Sequence, residues 1–114
     1  MMNSQTLGYS SSLSTGQKTA RSLAMSFLKK ITSGSLTVIE SFSQSENRTT
    51  FGAPQTSRLH AIIEVKNPGF YARLLKGGSI AAGEAYMESW WDSPDLTKLM
   101  ELMALNLKTL DSIE

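Results

Sequence analysis

The chain has 114 residues and a mass of 12.5 kDa, 40% hydrophobic and 18% charged. That suffices for one compact domain with a single core, and the repeated βα units and Gly-rich fingerprint of a doubly wound cofactor-binding domain are absent from the sequence. With no cysteine and one histidine, His60, the composition excludes a disulfide framework, a thiolate zinc site, a cysteine nucleophile and a His-based metal cluster.

The net charge of +1 conceals an asymmetry. Residues 1–39 carry four bases and no acid, whereas residues 84–114 carry two bases and seven acids. The N-terminal part is suited to an anionic surface and the C-terminal part is not. No apolar run approaches the roughly 18 to 20 residues of a membrane span, and the N-terminus lacks the basic-then-apolar pattern of a signal peptide. The expectation is a soluble, cytoplasmic domain.

Residues 1–14 are Ser-rich and uncharged, which predicts a flexible arm, with residues 15–114 forming the domain. Ala20, Leu23, Ala24, Phe27, Leu28 and Ile31 then recur at helical spacing. Ser14 or Thr15 suits the N-cap and Gly34 the stop, after a basic last turn of Lys29 and Lys30. The opposite face carries Lys18, Arg21 and Lys29 with no acidic partner.

Residues 35–42 and 47–51 are β-branched and aromatic and are separated by four polar residues, the pattern of a hairpin that ends at Gly52-Ala53-Pro54. Leu59, Ala61, Ile63 and Val65 alternate with His60, Ile62, Glu64 and Lys66, the clearest strand in the chain. His60 falls on the mixed face, where a hydrogen-bonded or solvated imidazole is expected rather than a metal ligand. Asn67-Pro68 predicts a helix capped by Asn67, with Pro68 in its first turn, that buries Phe70 and Leu74 and stops at Gly77-Gly78.

A second short helix follows over residues 79–87. Gly83 inside it costs about 1 kcal/mol relative to alanine, which implies a close approach by another group. Next comes a short Trp90-Trp91-Asp92 strand, whose alternation buries one indole and exposes the other. A last helix starts at Ser93-Pro94-Asp95, with Leu96, Leu99, Met100, Met103 and Leu107 as its stripe. Leu102, Leu105, Leu110 and Ile113 fall outside that stripe and call for a partner. The predicted class is α+β, a small twisted antiparallel-type sheet covered by four helices.

Residues 63–102 resemble the N-terminal region of the cyclopropane-fatty-acyl-phospholipid synthases and mycolic acid synthases. In that family a V-x-[ND]-P segment leads to an aromatic helix, a GS-x-x-x-GE-[AS]-YM-x-x-WWD signature and a Leu-rich helix. The matching residues are Asn67, Pro68, Phe70, Gly78, Ser79, Gly83, Glu84, Ala85, Tyr86, Met87, Trp90, Trp91 and Asp92. Ala81-Ala82 stands where the family has Gly-Leu, and Glu88-Ser89 where it has Asp-Gly, losses of glycine that would tighten or straighten a local turn.

Family members continue into a methyltransferase domain that binds S-adenosylmethionine and adds a methylene to an acyl double bond with bicarbonate as base. None of those catalytic motifs occurs in this chain. The resemblance therefore implies an accessory N-terminal domain that holds no cofactor itself and ends before the catalytic domain. The order of elements also resembles the sterol-carrier-protein type of α+β lipid-binding domain, in which helices cover a sheet around an apolar tunnel.

Three functions follow as expectations. The first is binding or presenting phospholipid acyl chains at the inner membrane face, through Lys18, Arg21, Lys29 and Lys30, each worth about 1 kcal/mol near an anionic surface, and through Trp90 and Trp91. Against it stands the plain alternative that both tryptophans are core and the basic helix simply covers the sheet. The second is docking of the Leu- and Met-rich last helix on the methyltransferase domain or on a second copy. The third, acid–base catalysis by Glu84 with Asp92 or Tyr86, is disfavoured because a carboxylate such as Glu84 more often pairs structurally, here with Arg73. Nucleic-acid binding is disfavoured too, since the bases lie on one helix without interleaved aromatics.

Overall fold

In the first helix the Ser14 side chain accepts from the Gln17 N–H and the Gln17 side chain accepts from the Ser14 N–H, a reciprocal capping box. The computed structural model describes residues 13–53, 55 and 57–106, so most of the expected arm and the Leu107, Leu110 and Ile113 positions lie outside the described residues. The elements are α1 (Thr15–Leu28), β1 (Gly34–Glu40), β2 (Asn47–Ala53), β3 (His60–Val65), α2 (Phe70–Met87), β4 (Trp91–Asp92) and α3 (Leu96–Leu105).

The class is α+β, and the four strands lie in the order β2-β1-β3-β4. The sheet is mixed rather than wholly antiparallel: β1 runs antiparallel to β2 and parallel to β3, and β3 runs antiparallel to β4. The cause lies in the short connection after β2, which crosses the start of β1 and sets β3 on its other side. There the Ser35 N–H donates to the Leu59 carbonyl at 3.0 Å. The crossing requires Gly34 and Gly52, both at positive φ; a Cβ would stand 2.5 Å from the Leu59 oxygen at the first and 2.3 Å from the Gly34 oxygen at the second.

Strand alternation sends Leu36, Val38, Phe51, Ala61, Val65 and Trp91 into the core beneath the helices. The other sheet face carries Ser35, Thr37, Thr50 and His60. Thr37 and Thr50 hydroxyls meet at 3.0 Å, and the Ser35 hydroxyl meets His60 Nδ1 at 2.8 Å, so His60 is the hydrogen-bonded imidazole expected of the mixed face.

The helix α2 is broken at Gly78, whose φ of 60° and ψ of −142° suit glycine alone. Arg73 donates to both carboxylate oxygens of Glu88, at 2.9 and 2.7 Å. Fifteen residues of straight helix would hold them about 22 Å apart. The two halves of α2 therefore fold back on each other, the helical pair that Gly77-Gly78 predicts. The second arm of this hairpin is tied to the tryptophans by the Trp90 N–H on the Ala85 carbonyl at 2.9 Å and by Trp91 Nε1–H on the Ala82 carbonyl at 2.8 Å.

Several local expectations are corrected. Lys29 is the C-cap of α1 rather than part of its last turn; Leu23 is exposed and Met25 is buried, because the helix rotates to seat Ala20, Ala24 and Met25 on the core. Gly69 rather than Asn67 is the N-cap of α2; the Asn67 side chain instead accepts from the Gly69 N–H at 2.8 Å and shapes the turn before the helix. Asp95 rather than Ser93 caps α3, accepting from the Lys98 N–H, while the Ser93 hydroxyl donates to the Ile62 carbonyl. Leu99 and Leu102 form the buried face of α3, and Leu96 and Met100 are exposed.

Gly83 meets nothing within 4 Å where a Cβ would stand, so no close approach explains it. Ser89, in the turn before the tryptophans, takes a left-handed φ of 65°, the region glycine adopts without cost. At its end α3 is tied to the α1–β1 connection by buried Asn106, which accepts from the Thr32 and Ser33 N–H groups and donates to the Ser33 and Leu102 carbonyls.

Candidate functional site

Between the three helices and the inner face of the sheet lies an apolar cavity of about 120 Å³. Its walls come from every layer: Ala24 and Leu28 of α1, Val38 and Ile63 of the sheet, Leu74 and Ala82 of the two arms of α2, and Met100 and Met103 of α3. Alanine at positions 24 and 82 leaves space that larger side chains would fill. Phe70, Tyr71 and Trp91 supply an aromatic wall, with Phe70 and Tyr71 rings edge-on at 5.6 Å and Tyr86 packed on Trp91 at 5.0 Å.

The Tyr71 hydroxyl points away from the cavity and donates to Glu40 Oε2 at 2.5 Å. Glu40 is only 2% exposed. It also accepts from Arg21 Nε and Nη2, at 2.6 and 2.8 Å, and from Asn47 Nδ2 at 2.8 Å. Burial works against its charge, but the bonds from Arg21, Tyr71 and Asn47 together outweigh it and hold the carboxyl below its ordinary pKa. The hydrogen bond to Glu40 raises the Arg21 pKa, and burial followed by the Glu40 bond raises that of the Tyr71 phenol. With four donors on two oxygens, Glu40 is a structural anchor between α1, β1 and α2 rather than a free acid or base.

The expected lipid-contacting residues are separated by these contacts. Lys18, Lys29 and Lys30 are exposed, whereas Arg21 is held by Glu40. Trp91, 5% exposed, lines the cavity. Trp90 is half-buried, with the Arg73 guanidinium 4.7 Å over its ring and Gly69 so close that a Cβ there would stand 3.2 Å from the indole.

The remaining residues of the sequence signature serve the hairpin. Gly78 makes the break, Ala85 is buried, and Ser79 and Met87 are exposed. Glu84 lies 3.8 Å from Arg73, and Asp92 accepts from the Ser93 N–H. Among the described residues no group of three His, Asp or Glu could hold a metal ion, and no helix is long and apolar enough to cross a membrane. Sequence reading missed Glu40 and assigned no residue to a cavity; an apolar tunnel entered it only through the sterol-carrier resemblance, which the fold does not establish. Glu40 shares strand parity with Leu36 and Val38, a signal that it points inward and needs a base.

Fold and site together define a small α+β domain with helices on one face of a mixed sheet and an apolar cavity beneath them. A stretch of 32 residues, 28% of the chain, is 53% identical to part of the cyclopropane-fatty-acyl-phospholipid synthase of Escherichia coli K12. The protein of the same name from Escherichia coli O6:H1 strain CFT073 matches equally over 32 residues. The matched stretch spans 8% of the length of each of those proteins. No family model and no solved structure matches the chain.

Proposed function

We propose that the chain is a non-catalytic, lipid-handling module of the kind found at the N-terminus of cyclopropane-fatty-acyl-phospholipid synthases. It binds part of a phospholipid acyl chain for an S-adenosylmethionine-dependent methyltransferase domain and works at the surface of a membrane. The observation that carries this reading is the apolar cavity. Its lining offers no hydrogen-bonding group to a ligand, so a polar molecule would lose its hydration without compensation and a hydrocarbon would not.

The volume limits what enters. At about 120 Å³ the cavity is somewhat smaller than the roughly 150 Å³ apolar cavity that takes up benzene, so it accepts the end of an acyl chain and leaves the rest at the mouth. The 32-residue match to a protein named for fatty-acyl phospholipid supports the same ligand class.

Trp91 provides the readout. In a Trp90→Phe variant it is the sole indole, and a dissolved bromine-labelled fatty acid is expected to quench its fluorescence saturably. Ala82→Leu, which fills the cavity, is expected to abolish that quenching. A folded Trp90→Phe chain whose Trp91 is not quenched overturns the reading. A second reading, self-association through α3, is favoured by exposed Leu96, Met100 and Leu105; sedimentation velocity showing a monomer at all concentrations removes it.

A further inference from the structure

Residues 75–80, the apex of the α2 hairpin, are all exposed, with Leu75 at 45% and Ile80 at 78%. They flank Lys76, Gly77, Gly78 and Ser79, and the broken turn at Gly78 has no atom within 4 Å of the place a Cβ would take. The charges around them are one-sided. Residues 66–83 include Lys66, Arg73 and Lys76 and no acid, while Glu84 and Glu88 sit toward the base of the hairpin, facing Arg73.

The apex also adjoins the cavity. Leu74 and Ala82, which wall it, lie just below the apex on the two arms. On the neighbouring helices, exposed Lys29 and Lys30 follow Leu28, and exposed Lys98 precedes Leu99 and half-exposed Met100.

We propose that the apex of this hairpin, Leu75, Lys76 and Ile80, is a membrane-docking element that inserts its two aliphatic side chains into the interfacial layer of an anionic phospholipid bilayer. Docked there, it sets the mouth of the cavity against lipid. This deepens the acyl-chain reading and rests on it for its purpose, while the docking itself stands on the exposed apex and its charge. A protein partner fits less well, because a stable protein interface needs about 800 Å² from each side, far more than two side chains supply. Interfacial insertion needs only a small apolar area supported by basic residues. The apex thus takes the role that the sequence assigns to Arg21 and Trp91, which Glu40 and the core respectively hold.

Because the chain has no cysteine, Ile80→Cys accepts a single environment-sensitive fluorophore, and Glu46→Cys in the β1–β2 turn serves as the control. Vesicles of phosphatidylglycerol with phosphatidylethanolamine are expected to blue-shift the label at 80 and not at 46; phosphatidylcholine vesicles are expected to shift neither. In co-sedimentation, Leu75→Glu/Ile80→Glu is expected to lower binding by at least about tenfold, and Lys76→Ala by about fivefold. All three positions are exposed, so circular dichroism melts are expected to match the parent chain.

Equal vesicle binding by the parent and the Leu75→Glu/Ile80→Glu variant overturns the proposal, as does a parent chain that binds no vesicle. Loss of a dimer, rather than of vesicle binding, in that variant overturns it in favour of a second copy as occupant. Quenching of Trp91 by the dissolved brominated fatty acid is expected to survive in the apex variant. If that quenching is absent in the parent while the apex effects hold, the cavity reading falls and the docking proposal stands.

Discussion

Arg21 grips Glu40 side-on, Nε on one carboxylate oxygen and Nη2 on the other, and so fixes the angle at which α1 crosses the sheet. Tyr71 brings α2 into the same joint. Glu40→Gln keeps the shape of the side chain but leaves Arg21 without its counter-charge, and is expected to destabilise the fold by about 3 kcal/mol in urea unfolding. The triple variant Arg21→Met/Glu40→Leu/Tyr71→Phe, which removes every member of the joint, is expected to recover most of that loss. An unchanged urea midpoint in the single variant would remove the joint from the account of stability.

The same cluster gives the pH dependence its sign. The folded pKa of Glu40 lies below its ordinary value of 4.5, so its stabilisation is fully present above that pH and is lost as pH falls through the folded value. The folded pKa of Tyr71 lies above its ordinary value of 10.0, so its stabilisation is fully present below that pH and is lost as pH rises through the folded value. A stability plateau between these limits is expected, with Glu40→Gln flattening the acid limb. Urea midpoints measured across pH check both limbs.

Two glycines in one element are expected to respond with opposite signs. Gly78→Ala meets no steric neighbour, yet forces alanine into a conformation that costs about 1–3 kcal/mol at the break of α2. Gly83 occupies an exposed helical site with open space beside it, and Gly83→Ala is expected to stabilise by about 1 kcal/mol. Thermal unfolding of the two variants side by side distinguishes them without reference to any activity.

Ser89 pays a conformational penalty that glycine would not. At φ 65° it sits in the left-handed region, and Ser89→Gly is expected to raise stability by about 0.5–1 kcal/mol. The Ser89 N–H bond to the Tyr86 carbonyl is a main-chain bond that glycine keeps, so an unchanged melting temperature would remove the strain at this position from the account of stability.

What the sequence makes legible here is what short-range patterns encode. Alternation marks β3 and its hydrogen-bonded His60, Ser14 marks the start of α1, and Gly77-Gly78 marks the fold-back of α2. Choices settled by packing over distance are not legible in the same way. The stripe read on α3 takes in Met100 and leaves out Leu102, the reverse of the fold, in which Leu102 is buried close to Gly34, whose added Cβ would stand 2.7 Å from Leu102 Cδ1, and Met100 is exposed. Arg21 and Glu40 are nineteen residues apart, beyond the range of any helical or strand period. The cavity has no local signature, since it arises where Ala24, Ala82 and their neighbours from four other elements fail to meet. The burial of Trp91 over Trp90 follows from pairing with Val65, a register that the alternation of β4 leaves open.

The fold-back of α2 also bears on the order in which the chain organises itself. Its closing contacts span short stretches of chain, fifteen residues for Arg73–Glu88 and nine for Trp91–Ala82. The bonds of Asn106 to Thr32 and Ser33 span 74 and 73. Loop-closure entropy rises with the length closed, so the hairpin and its tryptophans can assemble before the ends of the domain meet. Substitutions at Arg73 or Trp91 then act on the folding rate, and those at Asn106 act on the rate of unfolding.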